Sequence, residues 1–189
     1  MTSAAPDNED QQVRIGALAV TTGLQRLVTV GLGSCVGVVI IDQASGVYAL
    51  AHVFLPEAPD AGPKEGAGPA TYASDTVPAL LEAMRRAGGA RSTSQLQAVL
   101  AGGARMFASG RSSTADIGER NVAAVTRSLR DAGVRVVATE TGGTHGRTIR
   151  VEPGREGRVT VRAVGSEERD VWTAQQPAVR ERVDHAAAA

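Results

Sequence analysis

The sequence has a single cysteine, Cys35, in 189 residues. An internal disulfide is therefore excluded, and the usage fits a reducing compartment. Aromatic residues make up only 3% of the chain, so aliphatic side chains and alanine must fill its interior. Basic and acidic residues balance at 20 each, and Lys64 is the only lysine. With no net charge, no overall field draws nucleic acid or an anionic membrane. No apolar run approaches the ~20 residues that span a bilayer, so membrane insertion is not expected. The segment Met1 to Asp10 lacks the basic and apolar regions of a signal peptide, and a cytoplasmic protein is expected. Three histidines and one cysteine, widely scattered, match no recognised metal-ligand spacing.

What is present suits one domain with a proper core. Residues 1–11 are expected to be disordered, 12–165 to form a single domain, and 166–189 to be a disordered tail in which only Val171-Trp172 could dock. Strand-like segments lie near 13–20, 26–30, 36–41 and 46–55, and a Gly- and Pro-rich loop near 56–69. A helix fits 72–87, where Val77, Leu80, Leu81 and Met84 form one stripe. Ser74 or Asp75 is its expected cap, with Pro78 in its first turn. A buried strand at 96–101 precedes a second helix from about Glu119 to Gly133. Strands follow at 134–138, 147–151 and 158–162, the last two alternating apolar and polar. Strands outnumber helices and several are joined by short turns, which predicts an α+β fold rather than a doubly wound sheet.

Chemistry centres on Thr29-Val30-Gly31-Leu32-Gly33-Ser34-Cys35-Val36, which reads as strand, tight turn, strand, with the thiol at the turn. Gly31 and Gly33 permit a sharp bend and close approach of a substrate. Amides exposed by such a turn can stabilise an oxyanion. His52 lies in the next strand-like segment. If strands 36–41 and 46–55 pair, its imidazole comes near Cys35, and a base in reach raises the thiolate fraction. The Thr29 hydroxyl could fix the imidazole tautomer. Each residue also has a plain structural alternative: a small buried hydrophobe for Cys35, a satisfied strand histidine for His52, a β-branched strand residue for Thr29. His145 is a rival base, or simply an exposed hairpin residue; His185 lies in the tail. Met106-Phe107 reads as buried core or a docking patch. Arg120 and Asn121 read as a helix-start pair or as residues that orient a loop.

The Cys35 turn together with Ala51-His52-Val53-Phe54-Leu55-Pro56 resembles the CheD family of bacterial chemoreceptor glutamine deamidases. The resemblance continues through Tyr72 with Val77-Pro78-Ala79-Leu80-Leu81 and Gly102-Gly103-Ala104 with Met106-Phe107. It extends to Ile117-Gly118-Glu119-Arg120-Asn121, Gly142-Gly143 with Gly146-Arg147, and Gly157-Arg158-Val159-Thr160-Val161. It implies Cys35 as nucleophile, His52 as general base and acid, and Thr29 as orienting hydroxyl, with no metal or organic cofactor. The implied reaction is hydrolysis of a glutamine side chain to glutamate with loss of ammonia. The implied partners are methyl-accepting chemotaxis receptors, as substrate, and the CheC phosphatase. The implied fold is a mixed or antiparallel β-sandwich-like core flanked by helices, related to the catalytic domain of the cytotoxic necrotizing factor toxins. The alternatives are a non-catalytic module that binds receptor or phosphatase, or another cysteine hydrolase such as a peptidase or transglutaminase.

Overall fold

Val36–Asp42 is apolar or glycine at every position but the last, with no alternation. Such a strand needs cover on both faces. The computed structural model, which describes residues 10–106, 117–174 and 180–184, gives it that cover. In chain order the strands are β1 (Gln11–Gln12), β2 (Leu18–Thr21), β3 (Leu27–Leu32), β4 (Val36–Asp42), β5 (Val47–Val53) and β6 (Gln97–Gly102). They continue with β7 (Arg135–Gly142), β8 (Arg147–Glu152), β9 (Arg158–Ala163), β10 (Arg169–Thr173) and β11 (Arg180–Asp184). The helices are α1 (Ala73–Arg86) and α2 (Ile117–Asp131).

Two sheets result, a six-stranded one ordered β11-β7-β6-β4-β5-β2 and a five-stranded one ordered β1-β3-β8-β9-β10. Both mix parallel and antiparallel pairs. β6 and β7 are parallel, with α2 as the crossover, while β4 is antiparallel to both β5 and β6. Val36, Val38 and Ile40 of β4 join Val77, Leu80, Met84, Val125 and Leu129 of the helices in one core. Val39 and Ile41 join Leu27, Ile149, Val151 and Val161 in a second core between the sheets. Each such side chain contributes roughly 1.5–3 kcal/mol on burial. The architecture is the α+β fold that the strand pattern predicts, with the sandwich-like core and flanking helices that the family resemblance implies.

Some local expectations change. The predicted stripe on α1 is buried, but neither Ser74 nor Asp75 caps it: Tyr72 is the N-cap, and its side chain makes no capping bond to the helix. The first helical amide, Ala73 N–H, instead donates to Leu55 O at 2.9 Å, so the neighbouring strand end satisfies it. Pro78 sits in the helix interior, not its first turn. Residues 166–189, expected as a tail, include β10, paired with β9. Trp172 there is 5% exposed, makes an edge-on contact with Tyr48, and donates its Nε1–H to Gln97 Oε1 at 2.5 Å. The ordered chain therefore runs past residue 165, because partners from β5 and β6 supply what the local sequence lacks. At the other end, Gln11 begins β1; residues 1–9 lie outside the described residues.

Candidate active site

β4 and β5 pair over their full lengths, as the sequence argument required, with Gly37 opposite His52. Alternation along β5 sends Val47, Ala49, Ala51 and Val53 to the helix side and Tyr48 and Leu50 to the space between the sheets. His52 falls in step with Tyr48 and Leu50. There it is 2% exposed and meets Thr29, wholly buried, on β3 of the facing sheet. Thr29 Oγ1 lies 2.6 Å from His52 Nδ1 and 2.7 Å from Val13 O. A hydroxyl has one proton, and a carbonyl can only accept. The Thr29 proton therefore goes to Val13 O, and Thr29 Oγ1 accepts from His52 Nδ1–H. That assigns the tautomer: Nε2 carries the lone pair. Nε2 is buried and has no hydrogen-bond partner among the described residues.

Cys35 is the residue just before β4, on the same side as Gly37 by alternation and so diagonal to His52. Its turn opens at Gly31, at φ +72°, which favours glycine. Three successive carbonyls of the turn are then tied down. Gly33 O accepts from Ala104 N–H at 2.7 Å, Ser34 O from Asn121 Nδ2 at 2.9 Å, and Cys35 O from Gly103 N–H at 2.8 Å. Gly102 makes the last contact possible, because a Cβ there would collide with Cys35 O. The Ser34 N–H makes no hydrogen bond to described residues, and the Cys35 N–H meets only its own thiol. They are the amides available to an oxyanion.

Electrostatics decide the resting charge state. Burial pushes the His52 pKa down, partly offset by the Val13 carbonyl, so the imidazole is neutral. Burial pushes the Cys35 thiol up, partly offset by its own backbone N–H. Burial thus works against the expected enrichment of thiolate at rest and favours a neutral thiol and a neutral imidazole, because the inter-sheet space solvates neither ion.

Other candidates lie elsewhere. His145 is exposed on the loop between β7 and β8, 3.3 Å from Thr144 Oγ1, and lines a separate cleft with Arg147 and Glu167. His185 and Phe107 lie outside the described residues. Met106, expected in the core, is 47% exposed and covers Gly33. Arg120 is exposed, whereas Asn121 is wholly buried and does hold a loop: its Nδ2 bridges Ser34 O and Phe54 O, at 2.9 and 3.1 Å. The Val13 carbonyl was not foreseen, since a backbone acceptor leaves no residue-type signal. Among the described residues no group of His, Cys, Asp and Glu could hold a metal ion, and no helix is long and apolar enough to cross a membrane.

Fold and site together define an α+β protein with a thiol and a neutral imidazole set between two sheets. The chain belongs to the CheD family, whose model, described as CheD chemotactic sensory transduction, matches residues 54–163. It is 38% identical over 163 residues to a probable chemoreceptor glutamine deamidase CheD of Desulforamulus reducens, covering 86% of this chain and 95% of that one. It is 36% identical to the chemoreceptor glutamine deamidase CheD of Halalkalibacterium halodurans, covering 87% and 99%. It is 39% identical to that of Thermotoga maritima, covering 82% and 93%.

Proposed function

We propose that this chain is a protein-glutamine deamidase, which converts glutamine side chains of chemoreceptors to glutamate and releases ammonia in chemotaxis. The names of its relatives supply the substrate. The mechanism is supported by one observation: Thr29 holds the His52 Nδ1–H, and His52 Nε2 is left unpaired in the same inter-sheet space as Cys35, where burial favours the neutral ring.

In this mechanism His52 Nε2 takes the Cys35 proton as Sγ attacks the carboxamide carbon. The new oxyanion is received by the Ser34 and Cys35 amides. The imidazolium returns its proton to the nitrogen, ammonia leaves, and a thioester remains. Water, deprotonated by Nε2, attacks the thioester; the proton goes back to sulfur and glutamate departs. Thr29 holds the imidazole in the productive tautomer throughout. A neutral resting pair suits this sequence, since the proton moves only when the attack needs it.

The catalytic unit spans residues 12–165 and is completed by β10, which pairs with β9. The lone cysteine and the likeness to chemotaxis proteins support a cytoplasmic location, and the family resemblance supports CheC as a binding partner. The test is mass spectrometry of a chemoreceptor cytoplasmic fragment incubated with the purified chain. Conversion of glutamine to glutamate by wild type but not by Cys35→Ala is expected. Conversion by both would overturn the thiol mechanism, and conversion by neither the deamidase reading.

A further inference from the structure

Six large apolar side chains stand out as exposed among the described residues: Ile15, Leu24, Val30, Phe54, Met106 and Val164. A folded chain tolerates scattered ones, and only their grouping carries information. Four of the six lie on segments that build the Cys35–His52 site. Met106 places its Cγ and Sδ over Gly33, two residues from the nucleophile. Phe54 follows His52 by two residues, and its carbonyl shares the Asn121 amide with Ser34 O. Ile15 sits between Val13, which takes the Thr29 proton, and Gly16, whose N–H donates to His52 O. Val30 directly follows Thr29.

Cys35 is only 8% exposed. A glutamine side chain spans about 4 Å from Cα to its amide carbon, given ordinary bond lengths. A protein glutamine can reach such a thiol only if its own backbone comes down to the rim of the turn. Whatever flanks the glutamine must then cover that rim.

We propose that Phe54 and Met106, both on segments tied to the Cys35 turn, form an apolar collar that docks the apolar side chains flanking the target glutamine on the receptor surface. This selectivity rests on the deamidase reading and adds to it which surface of a substrate protein is accepted. Phe54 and Met106 together are the specificity-determining residues: they choose the glutamine by its neighbours, while Cys35 and His52 act on the amide alone. Covering the collar also removes water from around the thiol and imidazole, which strengthens the amide contacts to the oxyanion.

The experiment compares wild type, Phe54→Ser/Met106→Ser, Phe54→Leu/Met106→Leu, and Leu24→Ser. Each acts on a chemoreceptor cytoplasmic fragment, with ammonia release as the readout. Alkylation of Cys35 by iodoacetamide serves as the measure of an intact site. The double serine variant should lose at least tenfold in kcat/KM through a raised KM, with kcat held within about threefold and alkylation within about twofold. The double leucine variant should recover most of the loss, and Leu24→Ser should match wild type. Wild-type kcat/KM in the serine variant would overturn the collar and leave the deamidase reading standing. A parallel fall in alkylation would also overturn it, by showing that the pair holds the site rather than the substrate. No ammonia from wild type would remove the deamidase reading, and the collar with it.

Discussion

The two sheets are built on opposite terms. Every residue of β4 and β5 in the six-stranded sheet is buried, because helices cover one face and the second sheet covers the other. The five-stranded sheet is dry only inside. Its outer face carries Arg150 with Asp10 and Glu168, and Arg158 with Glu152 and Asp170, in an ion-pair lattice. The proposed nucleophile and base stand on or beside strands packed on both faces, and the wet sheet lends them one hydroxyl from its dry side. Rigidity is placed where the reacting atoms must be held, and solvent-tolerant chemistry where nothing reacts. If that contrast is right, substitutions should lose severity in order from the doubly buried sheet, through the inter-sheet contacts, to the wet face.

The largest effect is expected at Cys35. Cys35→Ala should end deamidation while leaving the fold intact, as checked by circular dichroism and ammonia release. In wild type, iodoacetamide alkylation should rise with pH to a midpoint above the ordinary thiol value of 9.0, because burial holds the thiol protonated. A midpoint below that value would mean that the inter-sheet space stabilises the thiolate after all.

His52→Ala should follow, at the roughly 10²–10⁴-fold loss typical of a missing general base. pH gives the second handle. The folded imidazole has a pKa below the ordinary 6.5, so between those two values the unfolded chain binds a proton that the folded chain does not. Stability is full above 6.5 and falls as pH drops through that window. His52→Gln should flatten this acid slope in chemical denaturation at a series of pH values. An unchanged slope would show that another group sets it.

Next comes the seam that joins the two sheets at their far end. Trp172→Ala should cost about 3–5 kcal/mol in urea unfolding, as large-to-small core changes do. Its ring sits against Tyr48 of the six-stranded sheet and its Nε1–H bonds Gln97. This residue marks the limit of reading a sequence locally. The helices and the paired strands 36–41 and 46–55 lie in stretches whose own pattern announces them, while the proposed Thr29, Cys35 and His52 set is singled out by its likeness to a family. Trp172 lies in a stretch without pattern, and its burial is decided by residues 75 and 124 positions away. Val13 escaped for a different reason, since its contribution is a carbonyl that every residue possesses. Asn121 was visible as a candidate, but only the folded chain shows that its amide joins the Ser34 turn to the end of β5.

At the inter-sheet contact itself, Thr29→Val keeps the shape and removes the acceptor. It should lower activity roughly 5- to 150-fold, the equivalent of about 1–3 kcal/mol for a buried donor left unpaired. Thr29→Ser keeps the oxygen and should retain most activity. Equal rates for both variants would make Thr29 an ordinary strand residue and move the orienting role to the Val13 carbonyl.

The smallest effect should lie on the wet face. Arg158 donates to Glu152 through Nε at 2.8 Å and Nη2 at 3.1 Å, a forked geometry that is the best an exposed pair can offer. Its side chain is nonetheless 47% exposed, so water and salt screen the attraction, and holding two long side chains in register costs entropy. Arg158→Ala should therefore change stability by no more than about 1 kcal/mol, and raised ionic strength should shrink even that. Deamidation should be unaffected, since Glu152 and Arg158 pair across β8 and β9 at the far end of both strands from Arg147, the residue in register with Leu32 beside the Cys35 turn. The informative result would be a loss of activity at unchanged stability. That would mean the outer lattice meets the receptor, and the division of labour between a reacting dry side and an inert wet side would fail.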